Sequence, residues 1–119
     1  MLNYHTVHEK VGRAEASLGA ARAYLFDVIR GAPRTNGGEA DSDRRTALVR
    51  LAGTYATETA AEVATLMFRA GGGTAVYATS PLERCFRDAN MVTQHLQLQP
   101  INYEMVGQYF LGLGLKMRR

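Results

Sequence analysis

The residues best suited to chemistry stand in one stretch, residues 80–99, which carries an arginine, a carboxylate and a histidine at helical spacing. Arg84, Asp88, Met91 and His95 share one face of a helix, because successive residues turn by about 100°. Such a face could hold an anionic ligand and place an acid or base beside it. The plainer interpretation is an ordinary surface pair of Arg84 with Asp88, worth about 0.2–0.5 kcal/mol, together with a structural histidine.

The start of this stretch predicts the helix that positions those side chains. Ser80 is suited to the N-cap and Pro81 to the first helical position. Glu83, three residues after Ser80, completes a capping box. The apolar stripe of the helix consists of Leu82, Cys85, Phe86, Ala89, Val92 and Leu96.

Three further helices are predicted around it. Residues 1 to about 30 repeat apolar positions at intervals of three and four, which is typical of a bundle helix; they are Val11, Ala14, Leu18, Ala21, Leu25 and Val28. A second helix is predicted from about residue 44 to 70, ended by Gly71, Gly72 and Gly73. Its apolar stripe consists of Leu48, Leu51, Tyr55, Thr59, Val63, Leu66 and Met67. The last helix follows Pro100, with the stripe Ile101, Met105, Val106, Tyr109, Phe110 and Leu113, and ends at Gly112 and Gly114.

The connections complete the predicted fold. The segment 31–43 reads as a mobile loop, with Asp41, Ser42 and Asp43 as candidate N-caps for the next helix. Four helices with mostly short connections predict an all-α protein, an antiparallel four-helix bundle in a single domain over residues 1–119.

Composition narrows the function classes. The chain has 119 residues, of which 46% are apolar and 21% are charged. Its net charge is +3, and its arginines are spread along the sequence. The sequence therefore gives little indication of nucleic-acid binding. No apolar run approaches the roughly 20 residues that a membrane-spanning helix needs. Cys85 is the single cysteine, so no internal disulfide forms and we expect a reducing, cytoplasmic location. No metal site is expected, because His5 with His8 and Glu58 with Glu62 are pairs, short of three or four ligands.

Longer runs carry a family resemblance. The run A-G-G-G-T-A-V-Y-A-T-S-P-L-E-R-C-F-R-D-A-N, followed by Q-H and by E-M-V-G-Q-Y-F-L-G, resembles the C-terminal helical domain of the acyl-CoA dehydrogenase superfamily. The run A-E-A-S-L-G-A-A-R-A-Y-L is similar to the first part of that domain. The resemblance implies a flavoprotein and a homodimer or homotetramer with this bundle at its core. It also implies that the family's N-terminal helical and middle β domains are absent from this chain, and that another chain could supply them.

Within the superfamily, the resemblance favours the flavin-dependent monooxygenase branch, such as dibenzothiophene monooxygenase and the 4-hydroxyphenylacetate hydroxylases. Many dehydrogenases place a glutamate base nine residues after the arginine equivalent to Arg87, where this chain has Leu96. His95, one residue earlier, is similar to the histidine that the monooxygenases place by the flavin ring. The resemblance thus makes His95 the candidate catalytic residue. A fragment of a true acyl-CoA dehydrogenase and a catalytically inactive oligomerisation module remain the alternatives.

The cofactor implied is a flavin, FAD or FMN, in the intact enzyme, and this chain alone need not retain it. Arg69 stands where many dehydrogenases place a glutamine that contacts the adenine end of FAD, and an arginine suits a phosphate better. Gly71, Gly72 and Gly73 would bring backbone close to the flavin phosphates. Arg84 completes the expected cofactor-binding set. A monooxygenase of this branch implies a flavin reductase as a partner.

Overall fold

The computed structural model describes residues 4–31, 38–70, 81–92 and 100–115. These segments form four helices: α1 is Tyr4–Arg30, α2 is Gly38–Ala70, α3 is Pro81–Val92 and α4 is Ile101–Phe110. No strand occurs in the described segments. The predicted all-α class and the four predicted helices are confirmed.

The 33-residue helix α2 organises the molecule, because α1, α3 and α4 each pack mainly against it. The connection between α1 and α2 is seven residues long. In a parallel arrangement it would have to return along the whole of α1, about 40 Å at a rise of about 1.5 Å per residue, which seven residues cannot span. α1 therefore runs antiparallel to α2. One contact fixes the turn between them. Arg45 Nη1 donates to the carbonyl oxygen of Gly31, 3.2 Å away, and so satisfies backbone that the end of α1 leaves unpaired.

Two faces of α2 are buried. Thr54 contacts α4, and it shares a face with Ala47 and Ala61, which are buried at intervals of seven. Ala52 and Thr59 are also buried, but at about 100° per residue they lie roughly opposite that face. We therefore assign them to the contact with α1. The principal extents of the molecule are 58 × 26 × 23 Å.

Small side chains fill the core. Among the described residues, the buried apolar side chains are Ala14, Ala21, Val28, Ala47, Ala52, Ala61, Met105 and Val106. The largest side chains that are fully buried are polar, Asn102 and Thr54. The accessible surface is 8548 Å², against about 6,400 Å² expected of a compact monomer of this mass. The chain therefore exposes about 2,200 Å² more than a compact monomer would.

The connection before α2 is shorter than predicted. The helix begins at Gly38 rather than near Arg44, so the predicted loop 31–43 is wrong over its last six residues. Asp41 and Asp43 lie inside the helix and are not its N-cap. These carboxylates fall in the first two turns, where the positive end of the helix dipole favours negative charge.

The predicted stripes are only partly buried. In α1 the Ala14–Ala21–Val28 row packs inward, whereas Val11 and Leu18 are exposed. In the other helices the stripe members that prove exposed are Tyr55, Cys85, Val92, Phe110 and Leu113. A predicted apolar stripe is broader than the surface that one neighbouring helix covers, so the residues at its edges remain exposed to solvent.

The end of α4 follows the prediction. Gly112 and Gly114 have φ angles of +84° and +87°, in the left-handed region that favours glycine. The Leu111 N–H donates to the carbonyl oxygen of Gly107, 3.0 Å away. Within the described segments no helix combines the length and apolarity that a membrane span requires.

Candidate functional site

An aromatic pair joins the last turns of α2 to α3. The rings of Phe68 and Phe86 stack with centroids 4.8 Å apart and planes 25° apart. Both side chains are half-buried, so the pair is also part of the α2–α3 packing. On α3, Asn90 Nδ2 donates to the Phe86 carbonyl oxygen at 2.8 Å.

Two predicted cofactor ligands are close to this pair in the sequence. Arg69 follows Phe68 in the last turn of α2, and Arg84 is two residues before Phe86 in the first turn of α3. Both side chains are exposed. A cation at the end of α2 is favoured by the helix dipole, but a cation in the first turn of α3 is opposed by it. The helix dipole can therefore explain why an arginine stands at the end of α2, as Arg69 does. It does not explain why Arg84 stands at the start of α3.

The remaining predicted site residues lie outside the described part of the chain: Gly71, Gly72, Gly73 and His95. Ser80, the predicted N-cap of α3, lies outside it as well, although the start at Pro81 is as predicted. Arg84 and Asp88 are both exposed, and no ion pair joins them. An ion pair does form between Glu9 and Arg13 on α1, at 3.0 Å. The surface-pair interpretation of Arg84 with Asp88 is therefore wrong for this structure.

A cleft lies between α2, α3 and the start of α4. It is an open cleft of about 380 Å³, lined by Glu58, Ala61, Glu62, Thr65, Asn90 and Pro100. The Thr65 hydroxyl is already used within α2, since its Oγ1 donates to the carbonyl oxygen of Ala61 at 2.9 Å. The two glutamates are therefore the charged groups of the cleft. Glu58 is half-buried.

Tyr103 on α4 interacts with Glu58, one of the residues that line this cleft. Burial raises the pKa of Tyr103 to about 12, and the negative charge of Glu58, which accepts a hydrogen bond from its hydroxyl, acts in the same direction. Sequence reasoning did not single out Tyr103. The only hint of this contact in the sequence is the pair Glu58 and Glu62, four residues apart on α2. Their spacing does not reveal that a residue of α4 contacts one of them. No cluster of three or more metal-ligating side chains occurs among the described residues.

The comparison with protein families decides the family. A family model described as "Acyl-CoA dehydrogenase, C-terminal domain" matches residues 2–100. The chain belongs to that family. The predicted superfamily is confirmed, and the match includes α1, α2, α3 and therefore both arginines of the candidate site.

A curated relative refines the family placement. The chain is 39% identical over 103 residues to an indole-3-acetate monooxygenase of Pseudomonas putida. The alignment covers 86% of this chain and 26% of the relative, so this chain spans about a quarter of the length of that protein. A monooxygenase relative agrees with the predicted branch of the superfamily.

Proposed function

We propose that this chain acts as the C-terminal domain of a flavin-dependent monooxygenase, where it contributes flavin-site residues and the core of a homo-oligomer. The observation that carries the proposal is the 39% identity to a monooxygenase, maintained across 86% of the chain. The indole-3-acetate of that relative's name indicates an aromatic acid as the substrate class. We infer a cytoplasmic enzyme from the lone Cys85 and a flavin reductase as its partner.

Two described arginines support a site for the phosphate end of a flavin. Arg69 and Arg84 are exposed guanidinium groups on two turns that the Phe68–Phe86 contact holds close together. Guanidinium groups form charge-assisted, bidentate hydrogen bonds with phosphate. We infer that both arginines hold the flavin phosphates, with backbone from Gly71–Gly73. Two phosphate ligands favour FAD, which has a diphosphate, over FMN.

His95 is proposed as the proton-handling residue. A bound flavin supplies the activation of molecular oxygen. A histidine has an unperturbed pKa near 6.5, so it can hold or deliver a proton near neutral pH. We expect the His95 side chain to face a surface that the rest of the enzyme covers, because the helical pattern sets it on the face of Arg84, away from Phe86.

The test of the arginines measures flavin affinity. In a full-length enzyme containing this domain, Arg69→Met and Arg84→Met are each expected to weaken flavin binding by about 10- to 100-fold, the loss of one charge-assisted contact of about 1.5–3 kcal/mol. Titration of the apoenzyme with FAD and with FMN measures this. Arg13→Met on α1 is the matched control and should leave flavin affinity unchanged. Unaltered affinity in both site variants would refute the assignment of the arginines.

The test of His95 measures coupling. His95→Ala should leave the folding of the helical bundle nearly unchanged, since His95 is expected to lie outside the bundle core, and it should lower product formation by about 10²- to 10⁴-fold. Oxygen consumption should then yield hydrogen peroxide in place of the hydroxylated product. His8→Ala, exposed on α1, is the control. If the remaining turnover of His95→Ala still yields hydroxylated product rather than hydrogen peroxide, His95 is not the proton donor. In a separate assay, reduction of the flavin by an acyl-CoA thioester would indicate a dehydrogenase.

A further inference from the structure

We propose that the cleft between α2, α3 and α4 binds an aromatic ring, through a hydrogen bond that a ring N–H donates to Glu58. The inference deepens the proposed function: it rests on the aromatic substrate proposed there and names the group of that ring which is recognised. The cleft has a volume of about 380 Å³, within the range of about 300–1,000 Å³ that is usual for small-molecule sites. It is therefore large enough to hold a fused aromatic ring.

The walls of the cleft supply apolar surface. Ala61 and Pro100 contribute side chains that consist of carbon and hydrogen only. Thr65 Oγ1 donates to the carbonyl oxygen of Ala61 at 2.9 Å, and Asn90 Nδ2 donates to a backbone carbonyl of its own helix at 2.8 Å. Both polar side chains of the lining therefore donate hydrogen bonds within their helices. Beyond its apolar walls, the cleft offers a ligand chiefly the acceptor capacity of two carboxylates.

Glu58 is the carboxylate that the fold holds in place. It is half-buried, whereas Glu62, one turn further along α2, is exposed. The hydroxyl of Tyr103, on α4, donates a hydrogen bond to Glu58. A carboxylate has about four lone-pair sites on its two oxygens, so this bond leaves acceptor capacity for a ligand. Tyr103 is therefore a positioning residue, which orients the acceptor from the neighbouring helix.

Charge decides which end of an aromatic acid enters the cleft. An ionised carboxylate accepts hydrogen bonds and donates none, and the like charges of Glu58 and Glu62 would repel the acid group of the substrate. The ring end carries no such charge, and a ring N–H there finds an acceptor between apolar walls. A site that hydrogen-bonds a substrate N–H also rejects analogues that lack this group.

The position of the cleft links it to the proposed reaction. Asn90, two residues before the end of α3, and Pro100, directly before α4, both line the cleft. The chain therefore leaves α3 and enters α4 beside it. His95, the proposed proton-handling residue, is five residues from each of these two positions in the sequence.

The test compares two ligands of the same shape. Indole carries a ring N–H, and benzofuran has an oxygen atom in its place. Titration of the isotope-labelled 119-residue chain with each ligand, followed by amide NMR shifts, measures both affinities without a flavin. Indole should bind about tenfold more tightly than benzofuran, as expected for one hydrogen bond to a charged group. Its binding should be saturable and should shift the amides of Ala61, Thr65 and Asn90.

Matched variants identify the acceptor. Glu58→Gln removes the charge and keeps the length of the side chain, so it should reduce the preference for indole over benzofuran by about fivefold. Glu62→Gln removes the same charge one turn away and should keep the preference. Tyr103→Phe releases the Glu58 carboxylate, so it should lower the affinity for indole and leave that for benzofuran unchanged. A purely structural role of Tyr103 would change both affinities alike.

Three results would overturn the proposal. They are the absence of saturable indole binding, equal affinities of the wild-type chain for indole and benzofuran, and equal losses of preference in Glu58→Gln and Glu62→Gln. Circular dichroism of each variant verifies that it is folded. These titrations involve no flavin, so the flavin affinity of the arginine variants and the coupling in His95→Ala test the proposed function separately.

Discussion

Removing the Asn102 side chain should detach α4 from α2. Asn102 Nδ2 donates to Thr54 Oγ1 at 3.1 Å, and both residues are fully buried although they lie 48 positions apart in the sequence. Asn102→Ala removes a hydrogen bond worth about 0.5–1.5 kcal/mol and leaves the buried Thr54 hydroxyl without this donor, at a desolvation cost of about 1–3 kcal/mol. We expect the free energy of unfolding to fall by about 2–4 kcal/mol, a large fraction of the stability of a domain of this size.

A double-mutant cycle isolates this contact. Thr54→Val keeps the shape of the side chain and removes the hydroxyl, so the cycle with Asn102→Ala should give a coupling energy of about 0.5–3 kcal/mol. Urea unfolding followed by circular dichroism is the assay, at one fixed protein concentration because self-association changes apparent stability. Glu104→Ala, an exposed change on the same helix, should stay within about 0.5 kcal/mol. A loss below that value for Asn102→Ala, or a coupling energy of zero, would refute the view that this pair holds α4.

Two further predictions concern the cleft and the aromatic pair. The pKa of Tyr103 is raised from 10.0 to about 12 in the folded chain, so its contribution to stability is complete below pH 10 and is lost as the pH rises to about 12. Glu58→Gln should lower that pKa, as measured by near-ultraviolet absorbance against a Tyr103→Phe reference, and an unchanged titration would exclude the Glu58 contact. Phe86→Ala should lower the free energy of unfolding by about 1.5–3 kcal/mol and increase hydrogen exchange in α3, because it removes a half-buried ring and its contact with Phe68. The control Phe110→Ala, at an exposed position, should have neither effect. Equal effects of the two variants would contradict the role of the Phe68–Phe86 pair in holding α3 against α2.

The sequence by itself determined the local features of this protein. Pro81 marks the start of α3, and Gly112 is where the chain turns left-handed after α4, because proline and glycine restrict or permit backbone angles independently of the rest of the fold. The family could also be predicted, since it depends on runs of consecutive residues such as that from Gly71 to Asn90. The segment before α2 was misjudged because its glycines indicated a loop, whereas its carboxylates favour the start of a helix.

Only the tertiary structure decided which side of each stripe is buried and which residues from different helices meet. Periodicity predicts an apolar surface on α1, but the position of α2 determines that Ala21 packs inward and Leu18 remains exposed. The contact of Asn102 with Thr54 could not be predicted, because a polar residue on a helix gives no sign of its partner until two chain segments far apart in sequence are packed together. The proximity of the two turns that carry Arg69 and Arg84 has the same origin. Each arginine is visible in the sequence, and the packing of α3 on α2 brings their two turns together.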